Sequence, residues 1–341
     1  MVQTQTRRLS YIQAVNEALR QELERDESVI IMGEDIAGGG ERDQFQDAWG
    51  GPMRLTKGLV GDFGRQRIRD TPIAESGFVG AGVGAAATGL RPVVDLMYVG
   101  FLGVCGDQIL NNAAKIHYMF GGKVKVPLTI MTGIGAGTNS AAQHSETVYS
   151  VFTHYPGLKV VAPSNPYNAK GLYAASIRDD DPVIICNNRQ LMGIRFDVDV
   201  PEESYEVPLG QADVAREGTD VTLLGISYMT QICLQAAEDL AAQGYSAEVI
   251  DLLSLSPMDD EAILESVRKT RRIVIVDEDY PRCSMAGDIA ALVAEEAFDY
   301  LDAPPKRVTP PHTSVPYSRP LEALFVPTKE QVVAAALETL E

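Results

Sequence analysis

The sequence predicts two α/β domains in tandem, the first built on a doubly wound parallel sheet. Three observations predict it. Short apolar runs of strand length alternate with longer amphipathic segments over residues 10–190. Residues 191–208 break that pattern with Asp197, Asp199, Pro201, Glu202, Glu203 and Pro208. The alternation then restarts at Val221 and continues to Leu340. The expected division is a first domain over 1–190, a linker over 191–208 and a second domain over 209–341. A chain of 341 residues has room for both cores.

In chain order, Ser10 is placed to cap a helix over 10–25. Ile12, Val15, Ala18, Leu19 and Leu23 recur there at helical spacing, with Glu17, Arg20, Gln21 and Glu24 on the other face. Residues 29–32 are an apolar strand that ends at Gly33-Glu34-Asp35. Acids at the carboxyl end of a strand lie where open parallel sheets place their sites. Residues 36–57 form a long loop with a glycine triplet, Gly38 to Gly40, and the only tryptophan, Trp49. A loop of that length either contacts a partner or is a surface loop pinned by one aromatic.

A β-rich segment then ends at Asp70-Thr71-Pro72-Ile73-Ala74, and Glu75 opens a helix of small and apolar residues. Most of that helix is expected to be buried, which makes Glu75 a buried carboxylate. Glycine inside a helix costs about 0.5–1 kcal/mol relative to alanine. Gly80 and Gly84 on one face therefore point to close helix packing. They lie too deep in the helix for a dinucleotide-binding turn. Strands over 91–97, 126–131, 158–162 and 182–186 alternate with helices over 101–120 and 165–178. In the second domain, strands over 221–226, 247–252, 272–277 and 307–309 alternate with helices over 230–243, 259–269 and 285–300. Terminal helices are expected over 321–325 and 328–340.

The formal net charge of −18 argues against a nucleic-acid or anionic-membrane surface, since both need clustered Lys and Arg. No apolar run approaches the roughly 18 residues of a membrane span. Residues 1–8 lack the apolar core of a signal peptide. Four scattered cysteines without a CxxC pair fit a reducing cytoplasm and give no zinc-site spacing.

Four histidines remain to be placed. His117 lies in a helix beside Lys115 and Tyr118, His154 in a turn-like stretch, and His312 among prolines. His144 follows the loop Gly133-Ile134-Gly135-Ala136-Gly137 at a strand end, where the first domain would place a site. No metal-ligand spacing links the histidines, and there is no nucleophile elbow or Walker loop. Glu75, His144 and Glu34 can support general acid–base chemistry without naming a substrate.

Several motifs together carry a resemblance. Thr71-Pro72-Ile73-Ala74-Glu75 with its Gly/Ala helix, Asp107-Gln108 with Ala113-Ala114-Lys115, and Ala142-Gln143-His144-Ser145 form one set. Pro156-Gly157-Leu158-Lys159-Val160-Val161, Ala169-Lys170-Gly171-Leu172 and Ile177-Arg178-Asp179-Asp180 form another. In order and over nearly the whole chain, they resemble the beta subunits of thiamin-diphosphate-dependent 2-oxo acid dehydrogenases. Ala48-Trp49-Gly50-Gly51, Tyr118-Met119-Phe120-Gly121-Gly122-Lys123, Pro281-Arg282-Cys283 and Val315-Pro316-Tyr317-Ser318 resemble the acetoin dehydrogenase branch of that family.

The resemblance implies a pyrimidine-type thiamin-diphosphate-binding fold with a parallel sheet, followed by a transketolase C-terminal-like α/β domain. It implies that Glu75 faces the aminopyrimidine ring nitrogen, that Ile73, Met97 and Phe101 line the cofactor rings, and that Glu34 is a nearby strand-end acid. Met97 and Phe101 look more like the pyruvate and acetoin members than the branched-chain ones. His144 matches a histidine that manages protons near the reacting carbon. A carboxyl in apolar surroundings keeps its proton to higher pH, which suits such a relay.

The Gly-Asp-Gly motif that holds Mg²⁺-diphosphate in this family is absent; the chain has only Gly61-Asp62-Phe63. The resemblance therefore implies an alpha subunit that carries Mg²⁺ and half of the site, in an α2β2 assembly with Gly80 and Gly84 packing across an interface. It also implies docking of a dihydrolipoamide acyltransferase core on the C-terminal domain, and a K⁺ site at Leu128, Ala174, Ile177, Asp179 and Asp181. The expected function is cleavage of acetoin with transfer of the acetyl unit to lipoamide in the cytoplasm. Oxidative decarboxylation of pyruvate or another 2-oxo acid is the alternative, and a non-catalytic assembly subunit is an alternative of another class.

Overall fold

The computed structural model describes residues 7–37 and 49–341, so Gly38 to Gly40 and Ala48 lie outside the described residues. The chain forms two compact units. The first takes the chain up to Ile134 together with Val151–Leu209, and the second takes Gly135–Ser150 with Gly210–Glu341.

Within the first unit, six strands lie in the order Lys159–Val161, Val183–Asn188, Thr129–Ile134, Arg91–Tyr98, Val29–Gly33 and Ile68–Asp70, all parallel. Val29–Gly33, Thr129–Ile134 and Val183–Asn188 are buried at every residue. That is why they read as continuous apolar runs and not as alternation. Thr129–Ile134 begins after Pro127, three residues later than expected.

The helix Tyr11–Arg25 starts where predicted. The Ser10 hydroxyl accepts from the Gln13 N–H, and the Gln13 side chain accepts from the Ser10 N–H, which satisfies two donors at the helix start. It packs on the helix Pro166–Arg178. Two polar anchors cross its buried side. The Tyr11 hydroxyl donates to Asn187 Oδ1 at 2.8 Å, and Arg178 Nη2 donates to the fully buried Glu22 at 2.6 Å.

Residues 191–208 are fixed to the first unit. Asp199–Val200 pairs antiparallel with Arg7–Arg8. The buried Lys170 Nζ donates to Glu17 Oε1 at 2.6 Å and to the carbonyls of Pro201, Glu202 and Glu203 at 2.6–3.0 Å. A Cβ on Gly171 would lie 2.4 Å from Val207 Cγ2, so glycine lets this segment lie against the helix. A buried ammonium with four acceptors makes the stretch part of a core edge, where acid and proline content alone suggest a free connector.

The segment expected as one helix over 101–120 changes winding. Val99–Phe101 is 3₁₀, Leu102–Gly106 is α, Asp107–Ala113 is π and Ala114–Met119 is α again. Asn111 Nδ2 donates to Asp107 Oδ1 at 2.8 Å and Asn112 Nδ2 to the Asp107 carbonyl at 3.2 Å. These side-chain bonds lie across the widened turns, a form often found beside functional sites.

In the second unit, strands Lys306–Val308, Ile273–Val276, Val221–Gly225 and Ala247–Asp251 are parallel neighbours in that order, with Asp213–Arg216 antiparallel at the edge. Tyr228–Ala241 and Lys329–Leu340 cover the sheet through Cys233, Ala236, Leu240, Val332 and Ala336. The helix expected over 285–300 ends at Glu296, followed by a 3₁₀ turn at Phe298–Tyr300. Among the described residues no helix is long and apolar enough to cross a membrane.

Candidate active site

Three adjacent strands of the first unit create the site. Val29–Gly33 lies between Ile68–Asp70 and Arg91–Tyr98, and all three run the same way, so their carboxyl ends share one edge. Gly33 sits opposite Asp95, and a Cβ there would come within 2.9 Å of Asp95 Cβ and its carbonyl. Glycine thus allows the close approach just before Glu34.

The second strand end leads through Thr71 and Ile73 into the helix Glu75–Ala87. The third carries a register shift between Asp95 and Met97, and Met97 adopts a left-handed backbone at φ 63°. Asp95 Oδ1 accepts from the Met97 N–H at 2.8 Å and holds that shape. The turn into Phe101 follows. Glu34, Ile73, Glu75, Met97 and Phe101 all lie at or just beyond the carboxyl ends of these three strands.

Burial sets the electrostatics. Glu34 and Glu75 are both buried, each with 8% of its surface exposed, and Glu34 Oε1 has no hydrogen-bond partner among the described residues. Burial raises the Glu34 carboxyl above its usual range, and the charges of Glu75 and Asp35 raise it further. Asp95 is pushed up to about 7 by burial, against the pull of the Met97 N–H and with a further rise from Glu34. The buried Cys105 thiol is pushed up to about 12, mainly by burial, with a smaller rise from the Glu75 charge. The edge is therefore a cluster of acids with an unused acceptor, arranged to bind a donor group or to hold a proton.

Asp95 is the residue sequence reasoning missed. Its signal was an acid inside the run Pro92-Val93-Val94-Asp95-Leu96.

The Glu75 helix is buried on one face only. Phe78, Val79, Gly82, Val83 and Ala86 face the core, whereas Ser76, Gly77, Ala81, Gly84 and Ala87 are exposed. Within this single chain the expectation of a mostly buried helix is met on one face only. A Cβ on Gly80 would meet Gln108 Oε1 at 2.9 Å, so Gly80 packs inside the unit, while one on Gly84 would meet nothing within 4 Å. Ile73, Trp49, Tyr118 and Met119 are also exposed, at 69–87% of their surfaces.

His144 belongs to the second unit. It ends the short helix Ala141–His144 and is half-buried. His117 Nδ1 lies 2.9 Å from the Val124 carbonyl, and the His154 and His312 rings make edge contacts with Tyr155 and Tyr280.

Several of the groups expected to hold K⁺ already accept from side-chain or backbone donors. Arg91 Nη1 donates to the carbonyls of Ile177 and Asp179 at 3.0 and 2.8 Å, and Nη2 to Asp180 Oδ1 at 2.7 Å. Lys159 Nζ pairs with Asp179 and Asp181 at 2.7 and 3.1 Å. The Leu128 carbonyl accepts from the Val183 N–H at 2.9 Å. Arg91 thus serves two of the expected carbonyls and Lys159 the two Asp carboxylates.

A parallel-sheet unit with buried acids at its carboxyl edge, followed by a mixed-sheet unit, defines a transketolase-like two-domain protein. Comparisons with known proteins agree. Residues 7–194 match the transketolase pyrimidine binding domain and residues 210–332 the transketolase C-terminal domain. The chain is 51% identical over 334 residues to the acetoin:2,6-dichlorophenolindophenol oxidoreductase subunit beta of Bacillus subtilis, covering 97% of both chains. It is 50% identical to the protein of the same name from Cupriavidus necator, covering 98% of each. The pyruvate dehydrogenase E1 component subunit beta of Rickettsia felis is 42% identical, with 95% of each covered. A solved structure titled split gene transketolase, inactive beta4 tetramer, superposes with a TM-score of 0.76 at 21% identity, covering 98% of this chain and 99% of the other, which supports the fold. The chain belongs to the family of transketolase-like dehydrogenase beta subunits that these acetoin and pyruvate enzymes share.

Proposed function

We propose that this chain is the beta subunit of a thiamin-diphosphate-dependent enzyme that cleaves acetoin and passes the acetyl unit to lipoamide. The observation that carries the substrate is the near-full-length identity of 51% and 50% to acetoin enzymes, against 42% to a pyruvate enzyme. The acid edge of the first unit supports the cofactor. When bound, thiamin diphosphate supplies a weakly acidic ring carbon that becomes a nucleophile towards a carbonyl.

On this reading the buried Glu75 carboxyl would hydrogen-bond the aminopyrimidine ring nitrogen. Glu34, with its unpartnered Oε1, offers a second acceptor beside it. Ile73, Met97 and Phe101 orient the rings and exclude water. His144 handles protons near the reacting carbon. The diphosphate and Mg²⁺ belong to an alpha subunit, because this chain has no Gly-Asp-Gly motif. The exposed Ile73, Trp49, Tyr118, Met119 and Gly84 offer apolar surface for that partner. An acyltransferase core docks on the C-terminal domain, and the complex works in the cytoplasm.

The test is reconstitution with the alpha subunit and an artificial electron acceptor, comparing acetoin, pyruvate and branched 2-oxo acids. Acetoin should give the highest kcat/KM, and the isolated chain should give no turnover. Preference for pyruvate would reassign the substrate. Glu75→Gln should lower turnover by about 10²–10⁴-fold, the usual worth of a positioned proton-transfer group, while still co-purifying with the alpha subunit. Unchanged turnover in that variant would remove Glu75 from the mechanism.

A further inference from the structure

The segment that carries His144 has an unusual backbone. Gly135, Gly137, Asn139 and Ala141 all have positive φ, at 94°, 91°, 55° and 58°. The Gly135 N–H donates to the Glu146 carbonyl at 3.3 Å, whereas the N–H groups of Ala136, Gly137 and Asn139 take side-chain acceptors. Two carboxylates from far along the chain, all within the second unit, supply those acceptors.

Glu278 Oε1 accepts from the Ala136 N–H at 2.7 Å. Glu322 Oε1 accepts from the Gly137 N–H at 2.8 Å, and Glu322 Oε2 from the Asn139 N–H at 3.0 Å and from Asn139 Nδ2 at 2.7 Å. Arg319 Nε donates to Asn139 Oδ1 at 2.8 Å, so both ends of that amide are engaged. Glu322 is 2% and Glu278 4% exposed, so both accepting carboxylates are largely withdrawn from water. The helix Ala141–His144 begins two residues after Asn139. Beyond His144 the segment is tied again, with Tyr149 donating to Asp277 and Ser150 to Asp279.

We propose that Glu322 is a positioning residue for His144. Its two oxygens grip both sides of the left-handed turn and fix the point from which the histidine-bearing helix starts. The inference rests on the reading of His144 as the proton-handling histidine. A group with two acceptor oxygens is needed because three N–H groups converge on it, and an amide would turn its own donors towards some of them.

The test is a double-mutant cycle on the complex with the alpha subunit, with acetoin and an artificial electron acceptor, together with amide exchange of the same complex. Glu322→Gln should lower kcat at least tenfold with little change in KM, and the Gly137 and Asn139 amides should exchange at least tenfold faster. In a His144→Ala background the same substitution should produce no further loss, because the residue it positions is gone. Asn139→Gly keeps the left-handed backbone, removes the side-chain half of the grip and should follow the same pattern, which covers poor folding of Glu322→Gln. An equal fold-loss with and without His144 would show a merely structural role and overturn the proposal. So would wild-type kcat in Glu322→Gln. Wild-type turnover by His144→Ala would overturn the role of His144 and this proposal with it, whereas a loss there with additive effects of Glu322→Gln overturns only the proposal.

Discussion

Replacing Asp95 by asparagine tests whether the acid edge holds a proton. Asp95 is 4% exposed, and its carboxyl is pushed from 3.8 up to about 7, chiefly by burial. Between those values the folded chain keeps a proton that the unfolded chain has released. Folding stability therefore falls as pH rises through that window, and this group adds no further slope above it. Each pH unit inside the window is worth about 1.4 kcal/mol per proton. From pH 5.5 to about 7 the wild type should lose about 2 kcal/mol through this one group. Asparagine cannot ionise, yet its Oδ1 can still accept the Met97 N–H, so Met97 keeps its left-handed turn. Urea unfolding of both proteins at pH 5.5, 6.5 and 7.5 reads the difference. The stability of Asp95→Asn relative to wild type should rise by about 2 kcal/mol across that series. A difference that stays constant with pH would mean that Asp95 is ionised throughout in the folded chain, and the argument for a proton-holding edge would fail.

Two further perturbations separate packing from assembly and charge from cation binding. Gly84→Ala introduces a Cβ with no neighbour within 4 Å, so thermal melts of the isolated chain should show a gain of about 0.5–1 kcal/mol. Its co-purification with the alpha subunit should weaken; unchanged co-purification would take that helix face out of the interface. Exchange of potassium for tetramethylammonium should leave the Tm of the wild type unchanged, because Arg91 already serves the carbonyls of Ile177 and Asp179. A clear fall in Tm would show that a monovalent ion binds there in spite of the guanidinium.

Much of the fold was legible because burial writes itself into short runs. Val29–Gly33, buried at every residue, read as an apolar run and ended within a residue of its predicted limit. Ser10 announced the first helix because capping is a local matter. What was not legible depends on contacts between distant residues. The π winding at Asp107–Ala113 has the composition of an α-helix, and what distinguishes it is backbone bonding five residues back, as from the Ala114 N–H to the Ile109 carbonyl. The acids of 191–208 suggest solvent, yet Lys170 fixes the carbonyls between them. The K⁺ expectation overlooked Arg91, whose partners lie 86–89 residues further along the chain.

The site divides along the same line. Glu34 and Glu75 could be picked out because each is an acid at an element boundary, where periodicity leaves a residue unassigned. That they meet depends on Val29–Gly33 lying between the two later strands, a sheet order no local pattern encodes. His144 carries this furthest. Its position after a glycine-rich loop was visible, and the first domain was the natural place for it because the strand Thr129–Ile134 runs directly into that loop. The backbone donors of the loop are instead taken by Glu278 and Glu322, 142 and 185 residues away from the residues they grip. The loop is held by the part of the chain that supplies these buried acceptors. That part is the second unit, and the histidine goes with it.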